Sequence, residues 1–318
     1  MAVSGTVPTE LGDKKIRDLL MQYAVPAIIA MTASSLYNMV DSIFIGHIKD
    51  VGSYAISGLA VTFPLMNIST ALGTLVGVGA STILSMLLGQ RNYQAANKVI
   101  INEVMLNVII GTLYTVITLV FLDPILMFFG ASANTLPYAR DYMVIILIGN
   151  VITHLYFGLN NIIRASGNPK LAMALTIFTV VSNTILDPIF IFWLDMGIKG
   201  AALATVICQM LALVYTVRYF LSGKNYLRLP RRMSEYRLDW RIAKDSLTIG
   251  MGPFLMNSAA CIVTMFINQQ LSKYGGDLAI GAYGIVNRFT FLFIMVNMGL
   301  NQGMQPIAGY NFGAREDS

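Results

Sequence analysis

Apolar runs long enough to cross a membrane recur from one end of the chain to the other, and this limits the fold more than any other feature. The hydrocarbon core is about 30 Å thick and takes about 20 helical residues to cross. Runs of that length lie near 18–46, 57–88, 99–122, 139–163, 171–194, 200–221, 246–271 and 279–309, which predicts eight spans. Backbone in lipid must satisfy its own hydrogen bonds, and the ten-residue alternation of a β-barrel is missing. The expected fold class is therefore an all-α membrane protein with eight transmembrane helices. Composition agrees: 56% of the 318 residues are hydrophobic and 12% charged, too few charges to cover a water-facing surface. The first run follows Lys14, Lys15 and Arg17, exceeds the length of a signal-peptide core and lacks a small-residue cleavage site, so it reads as a span. Cys208 and Cys261 both sit inside apolar runs, and no disulfide framework is implied.

Basic residues orient the chain. The N-terminal side and the even-numbered connections carry sixteen lysines and arginines: Lys14, Lys15, Arg17, Arg91, Lys98, Arg164, Lys170, Arg218, Lys224, Arg228, Arg231, Arg232, Arg237, Arg241, Lys244 and Arg315. The opposite side carries four: Lys49, Arg140, Lys199 and Lys273. The positive-inside rule then places the N-terminus in the cytoplasm. The longest polar segment, SGKNYLRLPRRMSEYRLDWRIAKD at 222–245, holds seven basic residues among aromatics. Nucleic-acid binding is one reading of that pattern. A cytoplasmic loop or amphipathic helix resting on anionic headgroups is the better one, because a tethered loop already has an anionic partner.

The chain also repeats itself weakly. At an offset of 227, Pro26 meets Pro253 and Asp41 meets Asn268. At an offset of 224, Ala55-Ile56 meets Ala279-Ile280, Gly79 meets Gly303, and Gly89-x-Arg91 meets Gly313-x-Arg315. Residues 1–221 thus read as a six-helix N-lobe, 222–245 as a cytoplasmic basic interlobe loop, and 246–318 as the first two helices of a second six-helix lobe, in a parallel repeat. Completing that repeat needs roughly 440–460 residues, so the 318 residues are expected to be a truncated form. Completion by dimerisation is the alternative.

A carboxylate inside a span is expensive and is a functional candidate by default. Asp41 in SSLYNMVDSIFIG and Asp187 in VVSNTILDPIFIF are such residues. Asn183 lies four before Asp187 and Asn38 three before Asp41, so each acid has an amide nearby on its helix. These groups suit a hard cation or a buried acid; the bland alternative is hydrogen-bonding between helices. Pro26 cannot donate to the carbonyl of Gln22, nor Pro188 to that of Thr184, and each is a potential kink. Glu103, beside Lys98 near the start of its span, reads as interfacial. Arg288 either faces a central cavity, pairs with a carboxylate or serves packing. Gly73, Gly77 and Gly79 suit close helix contact. His47 and His154 lack metal-ligand spacing, and no H-E-x-x-H, Walker A or G-x-S-x-G motif occurs, so no enzyme is indicated.

These residues, with the Gly89-Gln90-Arg91 loop, Arg164-Ala165-Ser166-Gly167-Asn168-Pro169, Asn183-x-x-x-Asp187-Pro188 and the GAALAT run ending at Thr205, resemble the multidrug and toxic compound extrusion (MATE) family from about residue 10 onward. The resemblance implies a cation-coupled antiporter exporting amphiphilic or cationic drugs and metabolites by alternating access. It places a Na⁺ or H⁺ site at Asp41, Asn183, Asp187 and Thr205, with Asn38, Tyr142 and Asn160 in a supporting polar network and a helix kink at Pro26. The seventh span carries no acid, which matches the bacterial DinF-like or MepA-like branch. A bacterial cytoplasmic membrane, contact with the lipid bilayer, no cofactor, no nucleic-acid partner and a monomeric full-length form are expected. A lipid-linked precursor flippase of related architecture is the alternative. Its anionic substrate asks for several intramembrane arginines, and only Arg288 is available.

Overall fold

A computed structural model of the chain describes residues 10–49, 51–222, 226–230 and 232–316. Lys224 and Arg231, used in the orientation argument, lie outside the described residues. The described residues form helices and connections without strands, in the order α1 (Glu10–Asp13), α2 (Ile16–Gly46), α3 (Gly52–Gly89), α4 (Tyr93–Val120), α5 (Leu122–Phe128), α6 (Leu136–Ile148), α7 (Asn150–Ala165), α8 (Pro169–Pro188), α9 (Ile198–Leu221) and α10 (Trp240–Glu316). The chain is an all-α membrane protein.

Six of the described helical segments are long and apolar enough to cross a membrane, and α6 with α7 makes a seventh, bent by 56° at Gly149. The sequence predicted eight. The difference lies in α10, whose 77 residues would stretch about 115 Å if straight. Gly276, at φ 69° and ψ −170°, breaks it where the last two spans were expected to separate. Glycine is the residue that tolerates this backbone without strain.

The proline positions behave differently from one another. Pro26 is buried inside α2, which continues helically from Ile16 to Gly46, so the expected kink does not interrupt the helix. Pro188 ends the regular part of α8, and Ile189–Trp193 follow as a π-helical turn. A proline supplies no amide to the preceding turn, and the wider turn accommodates that gap.

Helix α3 is the central post. Gly73 and Gly77 face α7, where the neighbours are the His154 ring and the Gly158 backbone. Gly79 and Gly89 face α10, and a Cβ at either would strike main-chain oxygen, of Ser246 and Tyr310 respectively. The last contact is reciprocal, because a Cβ at Gly313 would strike the oxygen of Met86. Met86 is related to Tyr310, and Gly89 to Gly313, by the offset of 224 found in the sequence.

Residues 226–230 are not an amphipathic helix. Tyr226, Leu227 and Leu229 are buried while Arg228 points outward. Asn97 of α4 holds this strap, its Oδ1 accepting from the Arg228 amide at 2.8 Å, and the Tyr226 hydroxyl donates to the Ser166 carbonyl at 2.7 Å. Farther on, Asn102 Oδ1 accepts from the Asp239 amide at 2.9 Å.

Candidate functional site

Two helical repeats build the site. Tyr37 and Asp41 lie four apart on α2, and Asn183 and Asp187 four apart on α8, so each pair projects from one face. Helix α9 supplies Thr205 and α6 supplies Tyr142. The Tyr37 hydroxyl lies 2.7 Å from Thr205 Oγ1, which also donates to the Ala201 carbonyl at 3.1 Å. The amide orientation of Asn183 that satisfies both its ends has Nδ2 donating to the two Asp187 oxygens, at 2.7 and 3.2 Å. Its Oδ1 then accepts from the Thr205 amide at 3.0 Å. A continuous chain of polar contacts therefore runs from Tyr37 through Thr205 and Asn183 to Asp187.

Asp41 completes the cluster from the α2 side. It is 4% exposed, and its Oδ1 is buried without a hydrogen-bond partner. Asp41 and Asp187 are close enough to act on each other electrostatically, and Tyr142 lies within the field of both. Arg288 of α10 is within electrostatic reach of Asp41, Tyr37 and Tyr142. It lines a cleft of about 300 Å³ with Met39, Ser42 and Ile43 of α2, Ile56 of α3 and Phe289. Of the three readings the sequence left for Arg288, the structure puts it at the cleft and within electrostatic reach of Asp41.

Donor chemistry decides what the cluster can hold. Two carboxylates, a carboxamide and hydroxyls are oxygen ligands, which suit hard cations and protons. No group of three or more acidic, histidine or cysteine side chains able to hold a metal occurs among the described residues. An unpartnered Asp41 oxygen beside a second acid is the feature a cation would satisfy.

Two residues expected in the supporting network stand elsewhere. Asn38 is exposed and donates to the Ser34 carbonyl of its own helix at 2.9 Å. It lies three residues from Asp41, but its side chain bonds back within α2 and takes no part in the Tyr37–Thr205 chain. Asn160 is buried, but its amide donates to the Ala172 carbonyl at 3.0 Å and its Oδ1 accepts from Arg164 at 3.2 Å. It belongs to a separate network in which Arg164 also bonds Asn161 and reaches Gln302 of α10. Tyr37 is not among the residues the sequence expectation names, although its place four residues before Asp41 is a signal for it.

Glu103 is a correction of another kind. Expected at the interface, it is fully buried, with Oε1 accepting from Asn107 Nδ2 at 2.5 Å. Gly158 of α7 makes room for it, since a Cβ there would run into Oε1. The carboxylate lies one turn inside the expected start of its span, where Lys98 suggested water. Contacts from α7 decided the matter.

Comparison with known proteins follows the same lines. The MatE family profile matches residues 26–189 and 252–318. The chain is 31% identical over 297 residues to "Multidrug export protein MepA" of Staphylococcus aureus (strain MSSA476), covering 93% of this chain and 65% of the relative. It is 32% identical over 300 residues to the protein of the same name from Staphylococcus haemolyticus (strain JCSC1435), covering 94% and 65%. It therefore spans just under two thirds of the length of these curated relatives. A solved structure described as that of the MATE multidrug transporter DinF-BH superposes with a TM-score of 0.89 at 37% identity, over 95% of this chain and 67% of that one. With the profile covering most of its length and its helices superposing on a solved member, this chain belongs to the MatE family.

Proposed function

We propose that this chain carries the cation site of a Na⁺- or H⁺-coupled antiporter that exports amphiphilic or cationic organic compounds by alternating access. The site is Asp41, Asn183, Asp187 and Thr205, with Tyr37 and Tyr142 as polar support. The observation that carries this reading is an amide–hydroxyl chain that ends on Asp187, within electrostatic reach of a second buried carboxylate, Asp41, whose Oδ1 is left without a partner. Family membership supports the export role, as the relatives named above are a multidrug export protein and a multidrug transporter.

A cation shifts a conformational equilibrium only by binding one state more tightly than the other. The site joins α2 to α8 and α9, and α2 also packs against α10 through Gly299 and Gly303. Drawing Asp41 toward Asp187 changes the position of α2 against α10, which links cation occupancy to the cleft beside Arg288. The polypeptide sits in a bacterial cytoplasmic membrane with its N-terminus inside, residues 1–221 forming one lobe and 246–318 part of the next, joined by the basic segment 222–245; the full-length form is a monomer. Sixteen basic residues on one side against four on the other support that orientation.

Ethidium efflux tests the proposal, measured in a host lacking its own exporters with a Na⁺ or H⁺ gradient imposed. Asp41→Asn and Asp187→Asn are each expected to abolish gradient-driven efflux while leaving membrane insertion intact, because losing a buried charge eases insertion. Wild-type efflux in either variant would refute the site.

A further inference from the structure

We propose that Glu103 and Asn107 form a second proton-binding site, in which Glu103 is held as the carboxylic acid and shares its proton with Asn107. The inference does not rest on the cation reading of Asp41 and Asp187. It starts from a matched pair of unsatisfied atoms. Glu103 and Asn107 lie four apart on α4 and both are 0% exposed. Asn107 Nδ2 donates to Glu103 Oε1 at 2.5 Å. The two other polar atoms of the pair, Glu103 Oε2 and Asn107 Oδ1, are buried without partners. Buried polar atoms in native proteins are satisfied, and each exception calls for an explanation.

Both orphans are acceptors when Glu103 is ionised, so neither can serve the other. An added proton changes that. A carboxylic acid offers one donor and one acceptor side by side, and so does a primary amide. The acid O–H then donates to Asn107 Oδ1 while Asn107 Nδ2 continues to donate to Oε1, closing a ring of two hydrogen bonds. One proton thus offers a partner to both atoms.

The surroundings favour a proton over a metal ion. The carboxyl rests on Gly158, where even a methyl group would lie 2.6 Å from Asn107 Nδ2 and 2.8 Å from Glu103 Cδ. Among the described residues, no charge on the neighbouring helices compensates an ionised Glu103. On its own helix, Lys98 lies 4.0 Å from Asp239 at the helix start. On α7, His154 sits farther along the seam beside Gly111 and Gly73, its Nε2 3.0 Å from Ser69, while Arg164 is bound to Asn160, Asn161 and Gln302. On α10, Lys244 and Asp245 are exposed, and α3 brings glycines and hydroxyls to this seam. Release of the proton would leave a carboxylate against the α7 backbone, so it requires water to enter or α4 and α7 to part.

Infrared spectroscopy of the purified 318-residue chain in lipid nanodiscs tests the assignment. The measurement is made near neutral pH, where a solvated glutamate with a pKa of about 4.3 is ionised. The chain has four glutamates, Glu10, Glu103, Glu235 and Glu316. We expect a carboxylic-acid carbonyl band that moves on ¹³C-glutamate labelling and in D₂O, persists in the Asp41→Asn, Asp187→Asn double variant, and disappears in Glu103→Gln. A glutamine amide makes the same ring, so Glu103→Gln is expected to melt with the wild type while Glu103→Ala melts lower. If Glu103→Gln fails to fold, Asn107→Ala decides, because losing the acceptor must move the labelled band to higher frequency. Absence of a labelled acid band overturns the proposal. So does a labelled band unmoved by either substitution, or a melting temperature raised by Na⁺ over choline in the wild type but not in Glu103→Gln, which would mark an ionised ligand.

Discussion

The Tyr37 hydroxyl, 2.7 Å from Thr205 Oγ1, gives the finest-grained test of the cation site. Tyr37→Phe removes one neutral hydrogen bond, worth about 0.5–1.5 kcal/mol, so cation affinity is expected to fall by up to roughly tenfold, read from a Na⁺ or pH titration of transport. Asn38→Ala is the contrasting case. Its side chain bonds only within its own helix, so stability and transport should stay within about 0.5 kcal/mol of wild type. A loss of transport in Asn38→Ala would mean that the exposed α2 face works with substrate after all. The two acids were legible in the sequence because a carboxylate in an apolar run is costly and stands out. Their companions were not equally legible. Tyr37 is marked in the sequence only by its place four residues before Asp41, and the partner brought by α9 gives it its role. Glu103 misled because Lys98 stands five residues before it, while the glycine that admits it to the interior lies on α7.

At the scale of elements, the spans were legible and their irregularities only in part. Run length and apolarity locate helices reliably, since lipid leaves the backbone no alternative. The bend at Gly149 comes from contacts that an apolar run does not record, whereas the π turn follows Pro188, whose missing amide marked a potential kink. A Cβ at Gly149 would sit 2.5 and 2.6 Å from the Val206 methyls of α9. Gly149→Ala is therefore expected to cost about 1–3 kcal/mol through overpacking, seen as a lower melting temperature in detergent; Val206→Ala should restore most of it. An unchanged melting temperature in Gly149→Ala would show that the α6–α7 bend absorbs the extra carbon. Gly276 has the opposite surroundings, with nothing near its missing Cβ, so a substitution there tests backbone conformation alone.

Across the whole molecule, the dominant contact is that of α10 with α3 and α2, and glycines set its closeness. Gly89→Ala and Gly313→Ala each drive a carbon into main chain that no rotamer change can move aside. The helix-forming gain of alanine over glycine, about 1 kcal/mol, is smaller than the clash it creates. Both variants are expected to lower the melting temperature, and by similar amounts, because each is the other's image under the repeat. A large effect at one glycine and none at the other would remove that equivalence. The repeat was legible only as a few scattered identities, since lipid-facing positions accept any apolar residue and retain no memory of register. The contact itself keeps the register that the side chains lost. A surface that meets its own copy is what two identical subunits share across a two-fold axis, each patch serving as its own complement. The α3–α10 crossing has that form within a single polypeptide, so tandem duplication of a self-pairing ancestor would have delivered this junction ready-made, and later divergence could alter each side separately without first having to invent a fit.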